Sequence, residues 1–456
     1  MPMEPVNKNQ IIQLQIDDLN SEGEGVGRVN GYALFVKSAL PGETVEALVV
    51  KTGKDFGYGK LINVLTPSPE RRVPDCPVYN ACGGCSLRHV SYAYQLKYKT
   101  KRVADALARI GGVENVRTDD CIGMENPFYY RNKAQFPAGV VNGGPEFGFF
   151  AKRSHTLIPM TGCLIHCRVN DEIINIIKGH ILKYNITVYD ETAHTGTVRH
   201  LTTRAGFITG EIMACLCINA KTLPGLDALI NNLQKVPGMT CIALNIDTRR
   251  TNAVMGGRVR VIWGKDHITD ILAGIIFKIS PASFFQVNPV QTEVLYKYAV
   301  DFLDVRPGDT VIDAYCGVGA ITLILAKSAK KVYGIESAPA AVADAQKNAE
   351  LNNITNAEFI TGKTEDVLEE LFLRGKSKKI VLNPARKGCD AKTLKIIGKF
   401  TPEKIVYISC NPAALARDVK ILRGHGYAPV KVQPVDCFAY SAHIETVVLL
   451  ERSGIV

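Results

Sequence analysis

Cys410 lies in Ser409-Cys410-Asn411-Pro412, directly after the apolar run Ile405-Val406-Tyr407-Ile408. A cysteine placed where a buried strand ends and a turn begins is held on rigid backbone with its sulfur facing open space. A free thiol has a pKa of about 8.5, so little is ionised at neutral pH, yet the thiolate is a strong nucleophile. The following segment, Ala413 to Leu422, has a helical pattern. Helix N-termini stabilise nearby anions, so the sequence predicts that this helix favours the thiolate.

A second strand end, Asp313-Ala314-Tyr315-Cys316-Gly317-Val318-Gly319, follows Thr310 to Ile312 and has the glycine spacing of a nucleotide-cofactor loop. Glu336 closes the next strand about 20 positions downstream, where an acid suits the two hydroxyls of an adenosine ribose. A dinucleotide loop would show a third glycine where this chain has Thr322. Nicotinamide is therefore disfavoured and S-adenosylmethionine is the expected ligand. A nucleophilic thiol beside a bound adenosyl group is the arrangement that methylation of a pyrimidine requires.

A third constellation is Cys76-x₅-Cys82-x₂-Cys85, with Gly83 and Gly84 inside it. Three thiols in so short a loop read as metal ligands, with Cys163 and Cys167 as candidates for a fourth. Zinc and iron–sulfur clusters both take four thiolates, so the ligands alone leave the two open. The chain has 13 cysteines. Cys215, Cys217 and Cys241 sit in apolar, strand-like runs and read as core residues.

The surrounding chain must position these groups. Its 456 residues are too many for one core. Residues 9–66 hold short alternating runs (Ile11 to Ile16, Tyr32 to Val36, Thr44 to Val50, Tyr58 to Val64) broken by glycines, which predicts a small antiparallel barrel. Residues 67–280 are mixed α+β, with helices expected at about 90–110, 170–184 and 225–235. Residues 281–456 alternate: helix 289–303, strand 310–314, helix 319–328, strand 331–336, helix 339–352, then strands at 379–382, 405–409, 428–435 and 445–451. Such alternation predicts a doubly wound, Rossmann-like parallel sheet of α/β class.

A composition of 46% hydrophobic and 21% charged residues is that of a globular protein. The apolar run Ile271 to Phe277 is far too short for a membrane span, and Met1-Pro2-Met3-Glu4-Pro5 shows no secretory pattern, so a cytoplasmic protein with no membrane partner is expected. The net charge of +10 favours a polyanion. Residues 92–102 place Tyr92, Tyr94 and Tyr98 among Lys97, Lys99, Lys101 and Arg102. That helix reads either as a phosphate-and-stacking surface or as a solvated face with its aromatics packed beneath. The oligomeric state is not fixed by the sequence, which is compatible with a monomer.

Ser409-Cys410-Asn411-Pro412-Ala413, with Leu415-Ala416-Arg417-Asp418 behind it, resembles the signature of the RNA uracil-5-methyltransferase family. Phe284-Phe285-Gln286-Val287-Asn288 and His443-Ile444-Glu445 resemble the same family's other motifs, and the likeness runs from about residue 9 to the end. The N-terminal barrel resembles the RNA-binding, OB-like TRAM domain of the branch acting on 23S ribosomal RNA. The resemblance implies Cys410 as nucleophile and Glu445 as base, and a cofactor pocket lined by Gln286, Tyr315, Glu336 and Asn383. It further implies a [4Fe-4S] cluster on Cys76, Cys82, Cys85 and Cys163, with a structural role. Tyr130-Arg131-Asn132-Lys133 resembles a family segment near the RNA.

The chemistry explains why these groups should meet. Uracil C5 is too weak a nucleophile to attack a methyl sulfonium. Thiolate addition at C6 makes C5 electron-rich; after methyl transfer, a base must take the C5 proton before the thiol can leave. Glu445 begins the last expected strand, which in methyltransferase-like sheets runs antiparallel, so its first residue falls at the carboxyl edge of the others. One position departs from the family: Asn383-Pro384-Ala385-Arg386 stands where Asp-Pro-Pro-Arg or Asp-Pro-Ala-Arg is usual. Asparagine keeps a carbonyl acceptor, gains a donor and loses the charge. The rival expectation is an RNA-binding assembly factor on a decayed methyltransferase scaffold.

Overall fold

Alternating burial along Ile11–Leu19 (β1) shows how the N-terminal barrel forms, with Ile12, Leu14 and Ile16 inside and the residues between them outside. The computed structural model describes residues 6–114, 117–152, 154–160, 162–251, 254–375 and 377–452. Residues 453–456, the end of the expected C-terminal domain, lie outside the described residues. β1, Gly25–Val29 (β2), Tyr32–Lys37 (β3), Thr44–Thr52 (β4) and Phe56–Thr66 (β5) close in the order β1-β2-β3-β5-β4. Two features differ from the sequence reading. β3 and β5 pair in parallel, and β2 is a strand although its glycines read as turn residues.

The helix Tyr92–Arg109 (α1) is capped by the Ser91 hydroxyl, which accepts from the Tyr94 N–H, and stops at the glycines 111 and 112. The middle sheet contains Lys133–Val141 (β6), Gly144–Phe150 (β7), Leu157–Pro159 (β8), Val198–Ala205 (β9), Ile212–Ile218 (β10), Met239–Ile246 (β11) and Arg258–Gly264 (β12). Their order is β12-β11-β10-β9-β6-β7-β8. Val169–Lys183 (α2) and Leu226–Leu233 (α3) pack on it through Ile173, Ile177, Leu229 and Leu233. Cys215, Cys217 and Cys241 are fully buried, as expected. A hairpin of Ile268–Leu272 (β13) and Ile275–Ile279 (β14) follows.

The C-terminal sheet is built from Pro289–Leu303 (α4), Thr310–Asp313 (β15), Ala320–Ala326 (α5), Lys331–Glu336 (β16), Pro339–Leu351 (α6), Ala357–Thr361 (β17), Thr364–Gly375 (α7), Lys379–Leu382 (β18), Ala391–Phe400 (α8), Lys404–Ser409 (β19), Pro412–Arg423 (α9), Tyr427–Val435 (β20) and Glu445–Arg452 (β21). The strand order is β17-β16-β15-β18-β19-β21-β20. β15 to β19 are parallel, and β21 is antiparallel to both β19 and β20. The fold is the expected α/β Rossmann-like one. β17, α7 and α8 add to the elements read from the sequence. Among the described residues no helix is long and apolar enough to cross a membrane.

α1 turns its aromatic side inward. Val103 and Leu107 pack with Ile312, Ile380 and Leu415 of the C-terminal domain. Tyr98 is buried, with its hydroxyl donating to Asn20 O at 2.7 Å. The Tyr92 hydroxyl donates to Asp436 at 2.9 Å, and Lys99 pairs with Asp436 at 2.6 Å with neither side chain exposed. The aromatics are packed beneath, while Lys97 and Lys101 remain exposed.

Candidate active site

Parallel strands bring their last residues to one edge, and here that edge surrounds a cavity of about 780 Å³. Tyr315, Gly317 and Val318 follow β15; Glu336 ends β16; Asn383 and Arg386 follow β18; Cys410 follows β19; Glu445 begins β21; all of them line the cavity. Gln286, Phe284 and Phe285 reach it from the segment before α4. The structure thus brings all six expected catalytic and cofactor residues into one space. A volume of this size is in the range of small-molecule and cofactor sites.

Cys410 and Glu445 are brought together by register. Ser409 pairs with Thr446 on the last rung of the antiparallel β19–β21 ladder, so Cys410, one residue past β19, and Glu445, the first residue of β21, come to the same end of that pair. Both line the cavity, and the Glu445 charge acts on the Cys410 thiol. Glu445 is buried, and burial alone pushes its carboxyl up to about 8.

The expectation that α9 favours a Cys410 thiolate is corrected. Asn411 already caps that helix: its side-chain oxygen accepts from the Ala413 and Ala414 N–H groups at 3.1 and 3.5 Å. Pro412 offers no N–H. Burial and the Glu445 charge raise the Cys410 pKa, against a lowering influence from Arg386. The Asn411 amide also donates to Arg386 O at 3.0 Å, which ties the nucleophile turn to the Asn383–Arg386 loop. Buried Asp418 holds the far side of that loop, accepting from Cys389 N–H at 2.8 Å and the Tyr407 hydroxyl at 2.7 Å.

The cofactor loop fits an adenosyl ligand. Gly317 and Gly319 have φ of +55° and +85°. A Cβ on Gly317 would meet nothing within 4 Å, so its backbone is open to an approaching ligand. The Glu336 carboxylate accepts from the Gly317 N–H at 3.2 Å and from the Ala338 N–H at 2.8 Å, which fixes it between the loop and the next helix. Thr322 stands behind, its hydroxyl donating to buried Asp313 at 2.7 Å. Burial raises Asp313 to about 6.

The segment 436–444, which leads into Glu445, is clamped from several sides. Lys99 donates to Asp436 and to Phe438 O, and the Tyr130 hydroxyl donates to Ala439 O at 3.0 Å. The Ser86 and Leu87 N–H groups both donate to Tyr440 O, at 2.9 and 3.0 Å. The turn beside Cys85 therefore supports the loop carrying the base.

A second cavity, of about 100 Å³, is lined by Cys76, Cys82, Cys85 and Cys163 together with Arg131 and His166. Among the described residues no group of three or more His, Cys, Asp or Glu forms a metal-ion site. The four thiols are near enough that Cys163, Cys82 and Cys76 each raise the Cys85 pKa, which burial first drives to about 12. This donor set suits a group that supplies positive charge to all four thiolates. Cys167 lies off the cavity, with its thiol donating to Arg131 O at 3.2 Å.

The Tyr130–Lys133 segment is mostly structural. Tyr130 and Asn132 are buried, and Asn132 donates to Gln286 O at 3.0 Å. Arg131 faces both cavities. Burial, with Arg204 nearby, lowers Lys133 to about 8. Sequence reasoning assigned no role to Phe284, Arg386 or Phe438, all of which line the catalytic cavity. For Phe284 and Arg386 the signal was present, since each lies inside a motif already singled out.

A family profile described as tRNA (Uracil-5-)-methyltransferase matches residues 208–453, more than half of the chain. The chain belongs to this family. It is an S-adenosylmethionine-dependent RNA methyltransferase, and residues 5–62 match the TRAM domain. An uncharacterized RNA methyltransferase of Clostridium tetani is 45% identical over 452 residues, 99% of this chain and 98% of that protein. One from Halalkalibacterium halodurans is 46% identical over 449 residues, 98% of each. The crystal structure of Pyrococcus abyssi tRNA (uracil-54, C5)-methyltransferase with S-adenosyl-L-homocysteine superposes with a TM-score of 0.78 at 26% identity. It covers 96% of this chain and 100% of that one. The uncovered 4% of 456 residues, about 18, is far less than the barrel. A barrel therefore also accompanies a transfer-RNA enzyme and does not by itself mark the ribosomal branch.

Proposed function

We propose that this methyltransferase acts on C5 of a uridine in large-subunit ribosomal RNA, making 5-methyluridine. The observation that carries the C5 chemistry is that Cys410 and Glu445 stand just beyond the Ser409–Thr446 rung that ends the β19–β21 ladder, inside the cavity lined by Gln286, Tyr315, Glu336 and Asn383. The target uridine leaves its stack to enter this cavity. Cys410 loses its proton and its sulfur bonds to uracil C6, which places the electron pair on C5. S-adenosylmethionine supplies an electrophilic methyl carbon on a positively charged sulfur, and that charge in the same cavity favours ionised Glu445. C5 bonds to that methyl carbon as the carbon's bond to the donor's sulfur breaks, leaving S-adenosylhomocysteine; Glu445 then takes the C5 proton, the C6–S bond breaks, and the ring regains its C5–C6 double bond with Cys410 released as the thiolate.

The cavity between Cys76, Cys82, Cys85 and Cys163 holds a [4Fe-4S] cluster in this reading, bound by those four thiolates. Its role is structural: it fastens the turn that hydrogen-bonds Tyr440. A cytoplasmic location belongs to the same proposal, because the RNA substrate is there.

A second reading, transfer RNA as substrate, is favoured by the activity named for the Pyrococcus protein. Mapping 5-methyluridine across ribosomal and transfer RNA, from cells with and without this protein, separates the two. The expected result is a ribosomal site lost on deletion and not restored by Cys410→Ala. If the parent chain and Cys410→Ala bind RNA equally and neither methylates it, the protein is an RNA-binding assembly factor instead.

A further inference from the structure

The chain enters β21, and with it Glu445, through the loop 436–444 that leaves β20 at Val435. Inside the loop the bonds are short-range: Phe438 N–H donates to Asp436 at 2.9 Å, and the Ser441 hydroxyl to Phe438 O at 2.8 Å. Longer reach comes from α1, beside the Ser86, Leu87 and Tyr130 contacts described above. Tyr92, Gln95, Lys99 and Arg102 recur at steps of three and four, so they share one face of that helix. Tyr92 and Lys99 donate to the Asp436 carboxylate at 2.9 and 2.6 Å, and Lys99 also to Phe438 O at 3.1 Å. The Gln95 side-chain oxygen accepts from Tyr440 N–H at 2.9 Å, and Arg102 donates to Ala442 O. Every second residue from 436 to 442 is thus held by the same helix face. Ile444 then shares a buried cluster with Val103 and Leu107 of α1.

These contacts lie out of water. Gln95, Lys99 and Asp436 have no exposed surface. A buried ion pair gains little over apolar packing, because desolvation offsets the attraction. Its best-attested use is to fix one arrangement, since any other leaves a charge unpaired away from water. Gln95 is held as tightly, its amide donating to Val90 O at 3.0 Å while its oxygen takes the Tyr440 N–H. On the other side of the helix Lys97 and Lys101 stay in solvent. The cations of residues 97–102 therefore divide: two point outward, and two hold the approach to the base.

We infer that Gln95, Lys99 and Arg102 are positioning residues for Glu445, setting where its carboxylate meets the C5 proton and leaving the earlier steps at Cys410 unaffected. This rests on the reading of Cys410 as nucleophile and Glu445 as base. Cys410 is carried by β19 and α9, whose packing on α1 uses Val103 and Leu107. The base is needed only after the methyl group has arrived, so a displaced loop delays the last step alone. A misplacement of about 1 Å at a reacting group costs up to about 100-fold in rate.

The test follows both steps in a single turnover of the full-length chain, on total RNA from cells lacking the protein with its uridines tritiated at C5. Methyl incorporation from radiocarbon-labelled S-adenosylmethionine reports the bond formed at C5, and tritium released to water reports the proton that Glu445 removes. Both are read on the same active molecules, so a loss of folded protein leaves their ratio unchanged. Arg102→Gln, Gln95→Leu and the charge-free pair of Lys99→Met with Asp436→Asn each slow tritium release about ten-fold against methyl incorporation. A methylated adduct on Cys410 accumulates meanwhile. Lys97→Gln, on the solvent side of α1, keeps the parent's ratio. Equal slowing of both steps, no slowing at all, or the same lag in Lys97→Gln overturns the inference. Glu445→Gln is the reference and shows the largest lag. If it releases tritium as promptly as the parent, the base lies elsewhere and the catalytic reading falls. If it lags while the α1 variants do not, only their positioning role falls.

Discussion

The catalytic cavity and the cysteine cavity share Arg131 as a common wall, but they are built differently. The first is made from strand ends, with Glu336, Asn383, Cys410 and Glu445 each at or next to the end of a hydrogen-bonded ladder. The second is made from loops, with Cys82 N–H bonded to Val78 O, Gly83 N–H to Phe150 O and Tyr129 N–H to Leu164 O. Ladders fix side chains before any ligand arrives, so the first site is preorganised for chemistry. Loops with few internal bonds depend on what they enclose. Substitutions in the first should therefore change rate before stability, and those in the second stability before rate.

Glu445→Gln is the strongest way to break that distinction. The amide cannot take the C5 proton, so turnover should fall by about 10³ while a covalent RNA–protein adduct accumulates, visible as a slow-migrating band under denaturing electrophoresis. Unimpaired turnover would place the base elsewhere. The same variant reports on burial. The folded protein holds Glu445 at about 8 against an ordinary 4.5, so it favours the protonated form. The stability this contributes is complete below pH 4.5 and is lost as pH rises through 8. Glu445→Gln should match the parent in thermal unfolding at pH 5 and exceed it at pH 9, by on the order of a few kcal/mol.

Cys85→Ser tests the other half. It should lower the unfolding midpoint by several degrees and abolish iron retention. Affinity for S-adenosylhomocysteine, measured by calorimetry, should stay within about two-fold, because the ligand's pocket is held by ladders. Methyl transfer should fall by about ten-fold, since Ser86 and Leu87 support Tyr440 in the loop before Glu445. A variant with unchanged stability and iron content would show that this loop stands without a bound group.

Strand ends were also the most legible part of the sequence. An apolar run of strand length fixes which residue comes last, and from that the edge occupied by Cys410, Asn383 and Glu336 follows. The antiparallel entry of Glu445 follows from the same sheet type. The charge state of Cys410 was not legible, because it depends on whether the first N–H groups of α9 are free, and the Asn411 side chain occupies them. The role of α1 was hidden for a related reason. Its cations and tyrosines meet partners more than 300 positions away, Asp436 and Phe438, and local pattern carries no trace of such pairing.

The smallest effect concerns Asn383, the departure from the family pattern, and it tests how finely the ladder-built site is tuned. Asn383 lines the cavity just past β18, two strands from Glu445 in a sheet where β19 separates β18 from β21. Asn383→Asp restores a charge without changing shape. A carboxylate near the donor's sulfur attracts the sulfonium of S-adenosylmethionine but gains nothing from the neutral sulfur of S-adenosylhomocysteine. The expected outcome is about three-fold tighter binding of the first relative to the second, under 1 kcal/mol, as suits a solvent-accessible charge pair. A second negative charge also makes ionising Glu445 harder, so the rise of activity with pH should move to higher pH. Equal changes for both ligands would put residue 383 against the adenine or ribose rather than the sulfur, and the pH profile should then stay where it was.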